Sequence, residues 1–312
     1  MSTRREFIQN TAALTLGGIL INKNAFGSTI LNKNKLPEPG IQLFTVFNEM
    51  KTDPTGTLKK IVAAGYKNIE SAFDFYGQTP KEFFNLCRDL GLQWRAHHVS
   101  GAPFKMPPES QRSANFKIPL GPNGKPMTFP KMKNLKENGT EIVDLVAEGG
   151  IKYLVCANMP ISSVDELKEA VDILHITAEK TQKAGIQLMY HNHTSEFKKI
   201  DDLMPYDYLL TELSADELKM ELDLGWALTA GKDPVEIFKN NPNRFPLWHI
   251  KDMDAAGNIL PFGKGELDFK AIFENASIAG LEYFFIEQDF PEHPLEDIKI
   301  SIQNFNKFKL TF

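Results

Sequence analysis

Four side chains that can bind a metal ion follow four apolar segments in the second half of the chain. They are His191, Asp223, His249 and Glu287, and about one strand–helix–strand repeat separates each from the next. Any one of them alone would more often be a hydrogen-bonded loop residue, but four at this spacing favour a shared role. Imidazole and carboxylate ligands without a thiolate suit a divalent ion such as Mn, Co, Mg or Zn. The pattern therefore predicts one divalent metal ion held by these residues.

Further polar side chains end the earlier apolar segments. Glu70 follows the second segment, and His97 and His98 follow the third. Of the seven histidines in the chain, five lie at predicted strand ends: His97, His98, His191, His193 and His249. Histidines that served only the surface or the core would be scattered over the helices as well. We therefore expect the strand ends to form the functional site.

Short apolar segments alternate with amphipathic helical segments from Gly40 onward. The first strand is predicted at Ile41–Thr45, a long irregular stretch at Gly101–Lys133, and two of the helices at Asp201–Leu213 and Leu267–Ser277. Eight strand–helix pairs in 312 residues predict an α/β protein, a (β/α)8 TIM barrel in a single domain. In such a barrel the active residues lie at the C-terminal ends of the strands.

The overall composition limits the class of protein. The formal net charge is −5 and 42% of the residues are hydrophobic, as in an ordinary globular protein. A mildly acidic chain disfavours nucleic acid as the main partner. Two cysteines, Cys87 and Cys156, are too few for a disulfide framework or a thiolate metal site. No segment reaches the roughly 20 apolar residues of a membrane-spanning helix, so we expect no membrane span.

The N-terminal residues have the order of an export signal. Arg4–Arg5 precedes the apolar stretch Ala12–Ile21, and a polar segment follows, which is typical of a twin-arginine signal. The alternative is an amphipathic N-terminal helix of the folded domain. We predict an export signal at residues 1–27, a linker at 28–37 and the barrel at 38–312, with the mature protein in the periplasm.

Four short motifs occur in an order and spacing that match a known family. They are Tyr190–Phe197 (YHNHTSEF), Asp223–Trp226 (DLGW), His249–Asp252 (HIKD) and Ile286–Asp289 (IEQD). Together they resemble the sugar isomerase/epimerase family of xylose-isomerase-like TIM barrels, over about residues 38–310. The resemblance implies a TIM barrel with a divalent ion bound by four strand-end residues, commonly Glu, Asp, His and Glu.

The resemblance assigns three of these ligands and leaves the fourth open. The last three family ligands map onto Asp223, His249 and Glu287. The first family ligand is replaced by His191 at the end of the fifth strand. Either His191 takes its place, or His193 or Glu196 reaches the metal from the loop.

The resemblance also implies a reaction. A metal ion that binds neighbouring oxygens of a sugar polarises its carbonyl group, and a base then removes a proton from the adjacent carbon. The base could be Glu287, His193, Glu196 or the His97–His98 pair. A histidine suits this role because its unperturbed pKa lies near neutrality.

Other strand-end residues have two interpretations each. Lys251 stabilises the developing oxyanion, or it is a solvated strand end. Glu70 binds a sugar hydroxyl, or it forms an ion pair inside the barrel mouth. Trp226 offers an aromatic face to the sugar, or it packs in the core. His97 and His98 are further candidates for substrate binding.

We therefore expect a metal-dependent sugar isomerase/epimerase or keto-sugar lyase that abstracts a proton next to a carbonyl. Export favours a free or glycosidic carbohydrate as the small-molecule partner, because phosphorylated sugars are cytoplasmic. The alternatives are a non-catalytic sugar-binding barrel and an endonuclease-like hydrolase of the base-excision type, which the net charge of −5 disfavours. We expect no nucleic-acid partner, and assembly into a homo-oligomer is left open.

Overall fold

Eight parallel strands close into a barrel, which confirms the predicted (β/α)8 fold. The computed structural model describes residues 36–103 and 132–312. In chain order the strands are β1 (Gly40–Gln42), β2 (Asn68–Ala72), β3 (Gln93–Ser100), β4 (Tyr153–Asn158), β5 (Gln187–His191), β6 (Lys219–Asp223), β7 (Leu247–Ile250), β8 (Asp252–Met253), β9 (Ile259–Leu260) and β10 (Tyr283–Ile286). β8 and β9 form a separate hairpin, and β1 closes the barrel by pairing with β2 and β10.

The inside of the barrel is filled by apolar side chains directly beneath the strand ends. One packed layer consists of Ala96, Tyr153, Val155, Met189, Leu247 and Phe285. Four members of this layer precede a polar residue by two positions on the same chain segment, and those polar residues are His98, His191, His249 and Glu287. Because side chains two apart on a strand share a face, the barrel core directs these polar groups into the mouth.

Helices cover the outside of the barrel. In the described segments they are α1 (Phe47–Thr52), α2 (Pro54–Ala64), α3 (Pro80–Asp89), α4 (Leu135–Glu148), α5 (Val164–Lys183), α6 (Pro205–Glu212), α7 (Leu224–Thr229), α8 (Pro234–Asn240), α9 (Phe269–Glu274), α10 (Ala276–Ala279) and α11 (Pro294–Lys309). Local sequence sets their starts; Thr79 and Glu82, for example, form a reciprocal capping box at α3. None of these helices combines the length and the hydropathy that crossing a membrane requires.

The first strand is shorter than predicted. The sequence predicts a strand over Ile41–Thr45, but β1 ends at Gln42 and Leu43–Val46 is a 3-10 turn. The cause is local, because Gln42 Oε1 accepts a hydrogen bond from the Phe44 N–H at 3.2 Å and bends the chain after the strand. The same side chain donates from Nε2 to Glu70 Oε2 at 2.8 Å, so this turn also supports a polar residue of the mouth.

Two predicted helices also have different bounds. The helix predicted at Asp201–Leu213 begins only at Pro205, whose fixed φ suits the first helical turn. The helix predicted at Leu267–Ser277 is divided into α9 and α10 at Asn275, which has φ −98° and ψ 8°. These shifts lie on the outer layer and leave the positions of the strand ends unchanged.

Parts of the predicted organisation lie outside the described residues. Residues 1–35 include the predicted export signal and most of the predicted linker, and residues 104–131 make up most of the long stretch after β3. The first strand, β1, starts at Gly40, and the barrel boundary at residue 38 stays a prediction.

A β-bulge sets the facing of two neighbouring histidines. The pairing of β2 with β3 passes from Trp94 directly to Ala96 and skips Arg95. Because successive side chains point to opposite faces of a strand, Ala96 and His98 face the inside of the barrel and His97 faces the outside.

The carboxylate of Asp252 links the end of β7 to the turn that follows β9 by hydrogen bonds. Its Oδ2 accepts hydrogen bonds from the N–H groups of Gly263 (2.8 Å), Lys264 (3.1 Å) and Gly265 (2.8 Å). Asp252 is 2% exposed, so these amides replace water around the charge. This link fixes the backbone directly after Lys251, at the C-terminal end of β7.

Replacing Asp252 with alanine should lower the free energy of unfolding by about 3 kcal/mol, because buried backbone amides lose a charged acceptor. Urea unfolding followed by circular dichroism measures this loss. Asp254→Ala is the matched control, since its carboxylate accepts from the Ala256 and Asn258 N–H groups at an exposed position. Water can replace that carboxylate, so the control should lose much less stability. Equal losses in the two variants would contradict the role of Asp252.

Candidate active site and metal centre

The C-terminal strand ends bring a compact group of buried polar side chains to the mouth of the barrel. The group consists of Glu70, His98, His191, Glu221, Asp223, His249, Lys251 and Glu287, each at most 5% exposed. All of them except Glu221 are singled out by the sequence. Buried charged groups at this density must pair with one another or bind an ion, so their contacts decide what the site can do.

His249 lies in the middle of this group, with a carboxylate at each ring nitrogen. Its Nδ1 is 2.9 Å from Glu287 Oε2. Its Nε2 is 2.5 Å from Glu70 Oε2 and 3.2 Å from Glu221 Oε2. Burial alone would lower the pKa of His249, but these carboxylates outweigh it and raise the pKa well above its usual value. Without a metal ion, His249 is therefore held as a cation.

Glu221 is the site residue that the sequence analysis missed. Its Oε2 lies 2.6 Å from His98 Nε2, 3.1 Å from His191 Nδ1 and 3.2 Å from His249 Nε2. Burial would raise the pKa of Glu221, but the charges of His249 and His98 hold it well below its usual value. A signal was available in the sequence, because Glu221 precedes Asp223 by two positions and so shares its face of β6.

Glu70 and His98 form an ion pair inside the mouth, which is one of the two interpretations given for Glu70. His98 Nε2 is 3.3 Å from Glu70 Oε2. Although burial opposes it, Glu70 and Glu221 raise the pKa of His98 to about 9. Burial, followed by the charge of Glu221, raises the pKa of Glu70 above its usual value.

Asp223 is held by its backbone and by one carboxylate oxygen, which leaves the other oxygen available. Asn192 Oδ1 accepts from the Asp223 N–H at 3.0 Å, and Asp223 Oδ1 accepts from the Trp226 N–H at 2.8 Å. This second contact caps α7, a helix that the sequence analysis did not predict. Asp223 Oδ2 has no hydrogen bond within the described residues, although Lys251 Nζ approaches to 3.1 Å. Burial raises the pKa of Asp223 above its usual value, against the opposing charge of Lys251.

Lys251 is a buried cation and not a solvated strand end, because only 1% of its side chain is exposed. Its Nζ lies 3.1 Å from Asp223 Oδ2, 3.0 Å from Glu287 Oε2 and 2.8 Å from Asp289 Oδ2. Burial would lower the pKa of Lys251, but these carboxylates raise it well above its usual value. The ammonium group is therefore a fixed charge and not a base. Asp289 is a second site residue that the sequence analysis did not single out.

The aromatic ring of Trp226 borders this lysine. Lys251 Nζ is 4.7 Å from the ring centroid, within the range of a cation–π contact. The indole Nε1 is buried and lacks a hydrogen-bond partner among the described residues. The Trp226 ring thus contacts Lys251 at the mouth, and its role in substrate binding stays a prediction.

The three candidates for the open metal-ligand position differ in their contacts. His191 is the last residue of β5, and His193 and Glu196 follow it. His191 Nε2 is 4.0 Å from Asp223 Oδ2, and burial lowers the pKa of His191 well below its usual value, which leaves the ring neutral. The ring centroid of His193 is 5.0 Å from that of His191. Glu196 braces the loop, because Oε1 accepts from the Tyr190 hydroxyl at 3.0 Å and Oε2 from the His193 N–H at 2.9 Å.

The structure does not bring His97 into this group. Its Nδ1 is 2.7 Å from Ser71 Oγ, and its ring stacks on Phe75 with centroids 4.8 Å apart. Burial lowers the pKa of His97 to about 3, so the ring is neutral. The bulge at Arg95 is the reason why His98 and not His97 reaches the barrel mouth.

A cavity of about 100 Å³ lies at this end of the barrel. Its polar wall is formed by His98, His191, His193, Lys251, Glu287 and Asp289. Phe44 and Phe73 line its apolar side, and Phe290 packs on Phe44 with ring centroids 4.7 Å apart. Phe73 and Phe290 have positive φ angles of 68° and 49°, a strained conformation that tends to occur at functional sites.

The donor set at the mouth fits a divalent metal ion. Asp223, His249 and Glu287 each offer a ligand atom, and these atoms lie within 4.8 Å of one another. The four buried carboxylates of Glu70, Glu221, Asp223 and Glu287 outnumber the three cations of the group, which are Lys251, His98 and His249. An excess of buried negative charge is costly unless a further cation compensates it. The buried, unbonded Asp223 Oδ2 is a ready ligand atom. These residues could hold the ion while Lys251 keeps its contact with Asp289.

The fold and the mouth together define the protein as a TIM barrel whose strand ends carry buried imidazole and carboxylate groups that could bind a metal ion. A family model described as "Xylose isomerase-like TIM barrel" matches residues 58–307. The chain therefore belongs to the xylose isomerase-like TIM barrel family, which confirms the resemblance seen in its motifs.

Several known proteins are similar to this chain. The inosose dehydratase of Geobacillus thermodenitrificans (strain NG80-2) is 24% identical over 222 residues, which cover 64% of this chain and 70% of that protein. The structure of a sugar phosphate isomerase/epimerase from Parabacteroides distasonis ATCC 8503 aligns with a TM-score of 0.68 at 24% identity, covering 86% and 93% of the two chains. The zinc-bound IolI protein aligns with a TM-score of 0.62 at 14% identity, covering 88% and 97%.

The free energy of unfolding of the metal-free protein should fall as the pH rises from about 6.5 to 9. In the folded state the pKa of His98 is raised from 6.5 to about 9, so its proton stabilises the fold below pH 6.5 and this stabilisation is lost as the pH passes 9. A shift of this size corresponds to about 3 kcal/mol. Urea unfolding of chelator-treated protein across this pH range measures the loss.

The Glu221→Gln variant provides the control for this pH dependence. It removes one of the carboxylates that hold the His98 proton, so the pH dependence should become shallower. Stability that stays constant or rises between pH 6.5 and 9 in the unmodified protein would refute the charged state of His98.

Proposed function

We propose that the protein is a metal-dependent enzyme that removes a proton next to the carbonyl group of a carbohydrate, as an isomerase, an epimerase or a keto-sugar lyase. The observation that carries this proposal is the convergence of Asp223, His249 and Glu287 within 4.8 Å, beside a cavity that Lys251 lines. The similarity to an inosose dehydratase and to a sugar phosphate isomerase/epimerase supports it, because such reactions can share a first step of proton removal.

A divalent ion bound by Asp223, His249 and Glu287 would supply Lewis-acid polarisation of the substrate carbonyl. Lys251 places a fixed positive charge next to these ligands, where negative charge grows on the carbonyl oxygen. Because Lys251 is buried, water screens this charge only weakly. Asp289 holds the ammonium group from the other side and so orients it.

His193 is the base in this proposal. It lines the cavity, and Glu196 holds its backbone N–H, so Glu196 acts as a positioning residue. Glu287 and His98 line the same cavity but are poorly suited to accept a proton. Neighbouring cations outweigh burial and hold the pKa of Glu287 well below its usual value, and His98 already carries its proton, with a pKa of about 9.

The proposed substrate is a free or glycosidic carbohydrate with a carbonyl group. The apolar side of the cavity, with Phe44 and Phe73, suits the apolar face of a sugar ring. The polar wall offers Asp289 and His191 as hydrogen-bond partners for hydroxyl groups. The zinc-bound IolI protein, of the same fold, supports the choice of a divalent ion among Mn, Co, Mg and Zn.

We also propose that the protein acts in the periplasm. Arg4–Arg5 and the apolar stretch Ala12–Ile21 support this. After expression of the full chain, its mature form should appear in the periplasmic fraction of the producing cell, and the double variant Arg4→Lys, Arg5→Lys should remain in the cytoplasm. The same distribution of the two proteins would refute a twin-arginine signal.

His249→Ala and Glu287→Gln should each lower kcat/KM by about 1000-fold or more, because each removes a metal ligand and leaves the other charges of the mouth unbalanced. Steady-state kinetics on the metal-loaded protein measures this. The control is His175→Ala, a histidine on α5 whose side chain is 54% exposed. Near-normal activity in either ligand variant would refute the assignment of His249 and Glu287 as metal ligands.

The reaction type is tested by turnover in deuterated water. The full chain, loaded in turn with Mn, Co, Mg and Zn, is screened against free sugars and 3-keto-glycosides. NMR should detect solvent deuterium at a single carbon next to the carbonyl group. Turnover without deuterium at any carbon would exclude proton abstraction, and no activity with any metal would favour the non-catalytic sugar-binding alternative.

A further inference from the structure

A second group of ligand atoms lies beside the Asp223, His249 and Glu287 set. His98, His191, Glu221 and His249 each offer one atom, and these atoms also lie within 4.8 Å of one another. Two of the four residues, His98 and Glu221, have no part in the predicted four-ligand set. All four side chains are buried, so the group is a built feature of the barrel interior and not a surface cluster.

The distances in this second group are those of ligands around one small ion. A tetrahedral ion with ligands at about 2.0–2.1 Å places its ligand atoms about 3.3–3.4 Å apart. Glu221 Oε2 lies 2.6, 3.1 and 3.2 Å from the nearest nitrogens of His98, His191 and His249. An ion can therefore enter among these atoms with movements of a few tenths of an ångström to one ångström.

The nitrogens of His249 divide between the two groups. Its Nδ1 faces Glu287 Oε2 at 2.9 Å, whereas its Nε2 faces Glu221 Oε2 at 3.2 Å. His249 can therefore offer Nδ1 to an ion bound beside Glu287 and Nε2 to an ion bound beside Glu221, so the two groups do not compete for the same atom. When ions bind on both sides, each displaces one ring proton, and both protons pass to solvent.

Unsatisfied buried atoms point to a missing cation at this second group. Glu221 Oε1 and Glu70 Oε1 have no hydrogen-bond partner in the described part of the chain, and both side chains are 0% exposed. An unpaired carboxylate oxygen in a buried position is costly. A bound ion would be approached by such oxygens, either directly or through water.

We propose that His98, His191, Glu221 and His249 Nε2 form a second divalent cation site, adjacent to the first and sharing the His249 ring. Three imidazoles and one carboxylate favour Zn, Co, Fe or Mn over Mg or Ca. His98 and His191 line the cavity, which gives an ion a route into the site. Ion binding here does not depend on the reaction proposed above.

Metal content per chain tests this site without any measurement of activity. The purified full-length chain is stripped with a chelator, equilibrated with Zn²⁺ and separated from free ion, and its zinc is measured by mass spectrometry. The unmodified protein should retain two zinc ions per chain. Glu221→Gln and His98→Asn should each retain one, and His175→Asn, a surface control, should retain two.

Cobalt provides a spectroscopic check on which site is lost. Co²⁺ bound by three imidazoles and a carboxylate absorbs in the visible range, and this absorption should be lost in His98→Asn but kept in Glu287→Gln. Glu221→Gln should also lose this absorption, whereas Glu221→Asp keeps a carboxylate and should retain part of it. Circular dichroism melts verify that each variant is folded, and if Glu221→Gln is unfolded, the comparison rests on Glu221→Asp and His98→Asn.

The outcomes separate this inference from the proposed function. One zinc ion per chain that is lost in Glu287→Gln and kept in both Glu221→Gln and His98→Asn would overturn the second site and leave the proposed function standing. One zinc ion that is lost in Glu221→Gln and His98→Asn but kept in Glu287→Gln would support the second site and overturn the first metal assignment. No retained zinc would overturn the second site, and failure to bind Mn, Co and Mg as well would overturn the first metal assignment.

Discussion

The negative charge buried at the barrel mouth has to be balanced, and the arrangement of the other polar groups follows from that requirement. Four carboxylates share a space from which water is largely excluded, and they belong to Glu70, Glu221, Asp223 and Glu287. Repulsion between such groups is strong where the dielectric is low. Lys251 lies between the carboxylates of Asp223 and Glu287. The His249 ring lies between Glu287 on one side and Glu70 and Glu221 on the other. Removing Lys251 would leave Asp223 without its ammonium partner, and removing His249 would leave His98 as the cation shared by Glu70 and Glu221. Either loss leaves buried negative charge uncompensated, which is strongly destabilising.

Much of this arrangement could be predicted from the sequence because it depends on repeat spacing. A strand–helix repeat returns the chain to the same end of the barrel, so His191, Asp223, His249 and Glu287 fall together whatever the details of the loops. The apolar residue two positions before His249 has the same facing, which fixes the direction of the side chain. These are local regularities, and a single sequence contains them.

The parts that could not be predicted depend on contacts between distant segments. The sequence leaves two interpretations of Lys251 open, and the choice between them depends on Asp289, in the segment after β10, whose Oδ2 lies 2.8 Å from the ammonium group. The 3-10 turn after Gln42 forms because one side chain bonds both its own backbone and Glu70. Glu221 was missed for another reason, since its position shows only when the two-residue alternation of β6 is followed back from Asp223.

The bulge at Arg95 determines how this barrel would respond to a slip in the pairing of β3. Straightening the bulge would turn His97 inward and His98 outward, so an imidazole would still face the mouth. The same slip would carry Arg95 into the apolar layer where Ala96 now packs, and an unpaired guanidinium group there is prohibitively costly. The arginine that the bulge leaves unpaired with β2 therefore opposes the one slip that would exchange His98 for His97 at the mouth.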